Sequence, residues 1–300
     1  GTEILQGLNA GLNELGKQRR DRSINHLIML TDGQTYGDEE KCLAAAIEAK
    51  KRRIGISALG IGEDWNDSLL DAIATRSGGV SQYVASTGEI QSFLHDRLQG
   101  LGSIYGENLR LTVKTTEGTQ LNSSFTLQPY IQRILLENDN LILGALEFNK
   151  PISGLLEFAI GPHPSGVHRI AQIELTADVP AQNRSGERLQ RDLTFTFSTE
   201  TDPNSAVSAN ILSALAKITI YRMQEGAWQA LEKGDVANAA HRLETMATRL
   251  LDLGEPQLAR AALLEAGRLS RSGNTTPIGR KAIKYGTRSL FTPLVKEKKS

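Results

Sequence analysis

The chain has 300 residues, 39% of them hydrophobic and 5% aromatic, and its 34 Lys and Arg are balanced by 34 Asp and Glu. That length calls for two or three domains, and the composition excludes a wholly disordered, collagen-like or membrane-spanning chain and a uniformly basic nucleic-acid binder. Its single cysteine, Cys42, can form no internal disulfide and has no thiol neighbours for a zinc site, which favours packed cores in a reducing, cytoplasmic setting.

Residue 1 is Gly rather than Met, and the first residues feed directly into the amphipathic run Ile4, Leu8, Leu12, Leu15 of a helix over 4–17. The chain therefore reads as cut at its N-terminus, so the lack of a leader there carries no weight. From 1 to about 105 helical periodicity alternates with short apolar runs, the pattern of α/β units around a parallel sheet. The run His26-Leu27-Ile28-Met29-Leu30 within 24–31 has the continuity of a strand covered on both faces. A loop over 32–37 follows. The next helix starts near Asp38, has Glu39 and Glu40 in its first turn, and ends in Lys50-Lys51-Arg52-Arg53, charges that suit the helix dipole. A second buried strand is expected over 54–61, a helix over 68–76, a short strand over 80–84 and a helix over 89–105 with Ile90, Phe93, Leu94, Leu98 and Leu101 inward.

From about 106 to 201 the period changes to two, as in Leu109, Leu111 and Val113, in Val167, Ala171, Ile173 and Leu175, and in Leu193, Phe195 and Phe197. About seven half-buried antiparallel strands, separated by turns such as Glu117-Gly118 and Asn138-Asp139-Asn140, fit a β-sandwich. After Asp202-Pro203-Asn204 helical spacing returns over 204–271, first over 205–232, then after Gly234-Asp235 and again after Gly254-Glu255-Pro256, giving antiparallel helical hairpins. No second copy at a fixed period supports a tetratricopeptide array. Residues 272–300 carry seven Lys and Arg against Glu297 and read as a basic, mobile tail. The expected architecture is thus multidomain: α/β, then all-β, then all-α.

Chemistry is concentrated at Thr31-Asp32-Gly33. A buried parallel strand ending in a carboxylate places Asp32 at the carboxyl edge of the sheet, where open α/β folds bind ligands, and Gly33 lets the backbone turn. Alone, the tripeptide is an ordinary turn. With Gly1-Thr2 before an amphipathic helix, and with helix and strand between Thr2 and Asp32, it resembles the second half of a von Willebrand factor type A domain. The match extends through the strand Ile54 to Gly62, the helix ending Ser77-Gly78-Gly79, the strand Val80 to Val84 and the closing helix, covering about residues 1–105.

In that family a metal-ion-dependent adhesion site is built from an Asp-x-Ser-x-Ser motif, a Thr in a Gly-Thr loop and an Asp in a Thr-Asp-Gly turn. The resemblance implies that Thr2 is a direct or water-bridged ligand and that Asp32 acts chiefly through ordered water. It implies Mg²⁺, or Ca²⁺ or Mn²⁺, and a protein partner offering an Asp or Glu to the ion. The chain contains no Asp-x-Ser-x-Ser, so the site is incomplete and weak or absent metal binding is expected. The strand that carries the motif in the family, and the two that follow it, would lie before residue 1. Without its neighbour, the strand over 24–30 would expose an apolar edge.

Other candidates are poorer. His26, His95, His163, His168 and His241 show no metal-ligand spacing, and His163 and His168 are taken as loop residues around a Pro-Gly turn. Gly60-Ile61-Gly62 precedes Glu63-Asp64, which repel phosphate, so strand-end glycine is the better reading. Cys42 reads as a small buried residue, and Tyr221 and Trp228 read as core. From Arg260 onward ten Lys and Arg face Glu265 and Glu297, enough to attract nucleic acid or an anionic membrane surface, although no aromatic binding face accompanies them. The layout resembles bacterial proteins of this superfamily. It implies a metal-dependent protein-binding or adhesion-type module rather than an enzyme. The alternatives are a metal-assisted hydrolase using Asp32 and a non-catalytic helical scaffold.

Overall fold

A computed structural model of the chain describes residues 2–17, 25–84, 87–134, 136–137, 140–148, 150–199 and 207–291. Gly1, the break at 202–204, part of the 138–140 turn and the basic residues beyond 291 lie outside them. The chain divides into two compact units, Gly1–Ile104 with Thr275–Tyr285, and Tyr105–Asn274 with Gly286–Ser300.

The first unit runs α1 (Ile4–Lys17), β1 (Asn25–Thr31), α2 (Glu39–Lys51), β2 (Ile54–Ile61), α3 (Asp67–Ser77), β3 (Ser81–Val84) and α4 (Thr87–Gly102). The strands form one parallel sheet in the order β1-β2-β3, with Leu27 opposite Ile56 and Met29 opposite Ala58. Alternate residues serve alternate faces. Leu27, Met29, Ile54, Ile56 and Ala58 pack with Ile4, Leu8 and Leu12 of α1, Cys42, Ala46 and Ala49 of α2, and Leu69, Leu70 and Ile73 of α3. On the other face Leu59, Val84 and Phe93 of α4 form a smaller cluster that Ile28 joins. This explains why β2, in the centre, reads as an unbroken apolar run: both its faces are covered.

β1 is different. Its run has the same continuity, yet it ends the sheet, its other edge carries no strand among the described residues, and Leu30 is 43% exposed. The expectation of cover on both faces is therefore corrected: Leu27 and Met29 pack on the main core and Ile28 on the cluster around Phe93, while Leu30 is left half open. A strand with an uncovered edge and a half-open apolar face invites pairing with another copy. The chain is expected to scatter light as a species larger than a monomer, and Leu30→Lys to shift it towards the monomer. A monodisperse wild-type monomer would refute this.

The second unit holds β4 (Ile104–Thr115), β5 (Thr119–Gln128), β6 (Gln132–Arg133), β7 (Leu136–Glu137), β8 (Asn140–Glu147), β9 (Ser153–Ile160), β10 (Gly166–Val179) and β11 (Arg184–Phe197). These make two sheets, β11-β10-β4-β8-β7 and β6-β5-β9, in which β10 pairs antiparallel with β11 and β4, β5 with β6 and β9, and β7 with β8. Leu109, Phe125, Leu127, Leu141, Ile170 and Ala171 supply buried side chains. The alternation read in β11 overstates its burial. Phe195 is 47% exposed, because β11 ends its sheet and pairs with β10 alone among the described residues.

Three helices follow, α5 (Ala209–Glu232), α6 (Val236–Asp252) and α7 (Pro256–Ser272). The turns between them use Gly234 and Gly254 at positive φ, and Asp235 caps α6 by accepting from the Asn238 backbone N–H at 3.2 Å. Tyr221 and Trp228 are buried, as are Leu243, Met246 and Leu250.

The last helix, α8 (Pro277–Arg288), falls within the segment read as a mobile tail. Pro277 opens it and Thr276 caps it, its hydroxyl accepting from the Gly279 N–H at 3.1 Å. Ile283 and Tyr285 are buried, and Lys281 is only 4% exposed. Residues 277–288 are therefore ordered helix: counting charges concealed an amphipathic element whose lysines are held by acids elsewhere in the chain.

Candidate functional site

At the carboxyl edge of the parallel sheet lie the turns after β1 and β2. After β1, Thr31 is buried, and its hydroxyl both donates to the Gly33 carbonyl at 3.1 Å and accepts from the Gly33 N–H at 3.3 Å. That clamp folds the chain back at Asp32, whose side chain is exposed and makes no hydrogen bond or ion pair with the described residues. A buried Thr35 hydroxyl donates to Asp38 at 2.5 Å and so ties the loop to the start of α2.

Thr2, immediately before α1, meets this turn. A Cβ built on Gly33 would lie 2.3 Å from Thr2 Oγ1. Gly33 is thus required for a close approach rather than for an unusual backbone, since it does not adopt a positive φ. Thr2 thus lies against the turn that carries Asp32.

The β2 turn carries a second feature that the sequence did not announce. A Cβ on Gly60 would lie 2.0 Å from the Trp65 ring, so this glycine gives the indole room to lie against the strand. Trp65 is 2% exposed, donates from Nε1 to the Gly62 carbonyl at 3.0 Å, and clusters with Tyr83 and with Tyr285 of α8. Lys281 of α8 sets its ammonium 4.3 Å from the Trp65 ring centroid and donates to the Glu63 carbonyl. Burial lowers the Lys281 pKa, while Asp67, Asp64 and Glu63 pull it back up. Lys284 bridges Asp67 and Asp71, the latter at 2.7 Å, and Asp71 also accepts from Tyr285 at 2.9 Å and from Ser81. The signal that could have found α8 is Thr276-Pro277 followed by Ile278, Ala282 and Tyr285 at helical spacing.

The sequence model of the von Willebrand factor type A domain matches residues 1–96. Residues 1–96 are thus similar to a von Willebrand factor type A domain. Behind this type A segment, residues 209–293 match the Sll0103-like, C-terminal alpha-helical domain.

The chain is 26% identical over 255 residues to the uncharacterized protein sll0103 of Synechocystis sp., covering 82% of this chain and 60% of that protein. It thus spans about three fifths of the curated relative that it matches. Among solved structures it resembles a von Willebrand factor type A protein from Catenulispora acidiphila, with TM-score 0.72 and 13% identity over 96% of this chain and 70% of that one. It also resembles the human COPII-coat protein Sec24c, with TM-score 0.53 and 14% identity over 96% of this chain and 43% of that one. At these identities the likeness is one of fold: a parallel α/β sheet, antiparallel sheets and a helical C-terminal part.

The type A fold raises the question of a metal ion. Thr2 and Asp32 offer oxygen donors of the right hardness, but Mg²⁺ takes about six oxygens in near-octahedral array. No group of three or more His, Cys, Asp or Glu that could hold an ion occurs among the described residues. Thr2 and Asp32 supply two of the oxygens such an ion takes. His163 and His168 lie 5.5 Å apart by ring centroid, His163 in a loop and His168 in β10 rather than in the loop expected for it, and both pack on Phe197. Cys42 is fully buried, and burial, then Asp38 and Glu39, push its thiol up to about 11, so it stays protonated and unreactive at neutral pH. No helix among the described residues is long and apolar enough to cross a membrane.

Proposed function

We propose that the type A segment is a protein-binding module whose contact point is the carboxyl edge of its sheet at Asp32, and that it binds a partner without transforming it. The observation that carries this reading is the Thr2 hydroxyl seated on Gly33 beside an exposed Asp32 that has no partner among the described residues. A rigid turn holds that carboxylate outward, and no described residue engages it as a catalytic acid or base would.

A partner's Asp or Glu needs a divalent cation between it and Asp32, because two bare carboxylates repel. A partner's Lys or Arg pairs with Asp32 directly. Thr2 and Asp32 are the residues that would take Mg²⁺, and as only two ligands they give weak affinity. Calorimetric heat of Mg²⁺ binding at micromolar concentration would contradict that.

The test immobilises the chain and compares the proteins retained by wild type, Thr2→Ala and Asp32→Ala, each in Mg²⁺ and in EDTA, with identification by mass spectrometry. Asp32 is exposed, so its variant is expected to melt as wild type does. A protein kept by wild type and lost by Asp32→Ala supports the reading, and its EDTA dependence assigns the partner's charge. Capture that persists unchanged in both variants moves the binding surface elsewhere, to the helical part, and overturns it.

A further inference from the structure

A cavity of about 530 Å³ opens in the second unit where Arg133 of β6 meets α5 and the start of α6. Its charged lining is Arg133, Arg222, Lys233 and Arg242 against Glu225 and Asp235, four cations to two carboxylates. Even with Arg222 paired to Glu157, Arg133, Lys233 and Arg242 outnumber Glu225 and Asp235, and a recess with that positive excess attracts an anion.

The cations are not equivalent. Arg222 is committed: it pairs with Glu157, which also accepts from Ser123 at 2.5 Å. These bonds hold Glu157 below its usual carboxylate pKa, the Ser123 hydroxyl contributing most and Arg222 next. Arg222 and Arg133 both rest against the Phe125 ring, with guanidinium carbons 5.1 and 5.0 Å from its centroid, and Arg133 reaches Glu225 only at 3.7 Å.

Arg242 is aimed rather than committed. Asp235 accepts from Asn238 Nδ2 at 3.2 Å, and Asn238 Oδ1 accepts from Arg242 Nε at 3.0 Å, which fixes the plane of the guanidinium. A Cβ on Gly226 would lie 2.7 Å from Arg242 Nη1, so the guanidinium lies over bare backbone. Its two terminal nitrogens make no hydrogen bond or ion pair with the described residues, and neither does the Lys233 ammonium. A planar fork with both donors unspent, beside an unspent ammonium, matches the oxygens of a phosphate group.

We propose that this recess binds a phosphate dianion, free or as a small monoester, with Arg242 and Lys233 as its direct contacts and Arg133 closing over it. Arg222 and its Glu157–Ser123 clamp form the fixed wall.

The experiment titrates inorganic phosphate and, separately, glycerol phosphate into the full chain by calorimetry at low ionic strength. It repeats both with Arg242→Ala/Lys233→Ala, two exposed positions whose loss leaves the core untouched. Wild type is expected to bind in the millimolar range or tighter and to weaken as sodium chloride rises, and the double variant to bind about tenfold or more weakly with an unchanged melting temperature. Tighter binding of the ester assigns a phosphomonoester, and equal binding assigns free phosphate. No saturable heat with wild type, or equal affinity in the double variant, overturns the proposal.

Discussion

Trp65→Ala is expected to destabilise the first unit by about 3–5 kcal/mol, the usual cost of emptying a buried indole site, and to release α8 with it. The ring is more than filler. It closes over Gly60 at the end of β2, meets Tyr83 of β3 and Tyr285 of α8 at centroid distances of 6.3 and 5.9 Å, and offers its face to the Lys281 ammonium. Removing it leaves a cavity among residues from three elements and strips the buried ammonium of its aromatic partner. Chemical denaturation should show the lower midpoint, and limited proteolysis should cut near residues 273–276 in the native buffer. Trp65→Phe, which keeps an apolar ring, should lose less than half as much. A Trp65→Ala protein within about 1 kcal/mol of wild type would show that the surrounding side chains collapse into the space.

Lys284→Ala should cost about 2–4 kcal/mol, at or below the range for breaking a buried ion pair because some solvent reaches this one. Its ammonium lies between Asp67 and Asp71, one turn apart on α3, with all three side chains 14–17% exposed. Without it two carboxylates face each other with little water to screen them, and like charges at that helical spacing repel. Asp67→Asn in the Lys284→Ala background removes one of the two charges and should restore part of the loss, since Asp71 keeps its bonds from Ser81 and Tyr285. If the double variant is no more stable than the single one, the loss comes from the packing of the lysine stem rather than from repulsion.

How much of this was legible in the sequence depends on how far apart the interacting residues lie. The apolar continuity of β2, the hairpin breaks at Gly234 and Gly254 and the pairing of Thr2 with Asp32 all rest on local pattern or on a motif, and the structure brings Thr2 and the Asp32 turn together. Three readings went astray for a shared reason. Leu98 falls at the inward helical spacing of α4, yet it is 66% exposed. Alternation in β11 marks two faces but says nothing of whether another layer covers either, so the period that reads as a half-buried strand leaves Phe195 exposed. The segment after 272 looks like a charged tail because Lys284 finds its acids, Asp67 and Asp71, and Lys281 its carbonyl, that of Glu63, far back along the chain. Periodicity reports what an element offers; what it meets depends on the rest of the fold. The metal question is of the same kind: a motif match can name Thr2 and Asp32, but whether an ion sits there depends on ligands that lie outside the motif.

The discontinuity of the first unit has a consequence for the order in which the protein is made. The strands and four helices described in it have all been synthesised by Ile104, yet the segment that seals Trp65 and neutralises Asp67 and Asp71, Thr275–Tyr285, is synthesised only after all of Tyr105–Asn274. On the ribosome the first unit must wait through the making of the second with a bare indole and a pair of uncompensated carboxylates, a state open to chaperones and proteases. Closing so long a loop adds only a logarithmic entropic cost once the last helix emerges. Maturation of this unit is therefore coupled to synthesis of residues 275–285, and an mRNA cut short within the helical region would yield a first unit that lacks its seal.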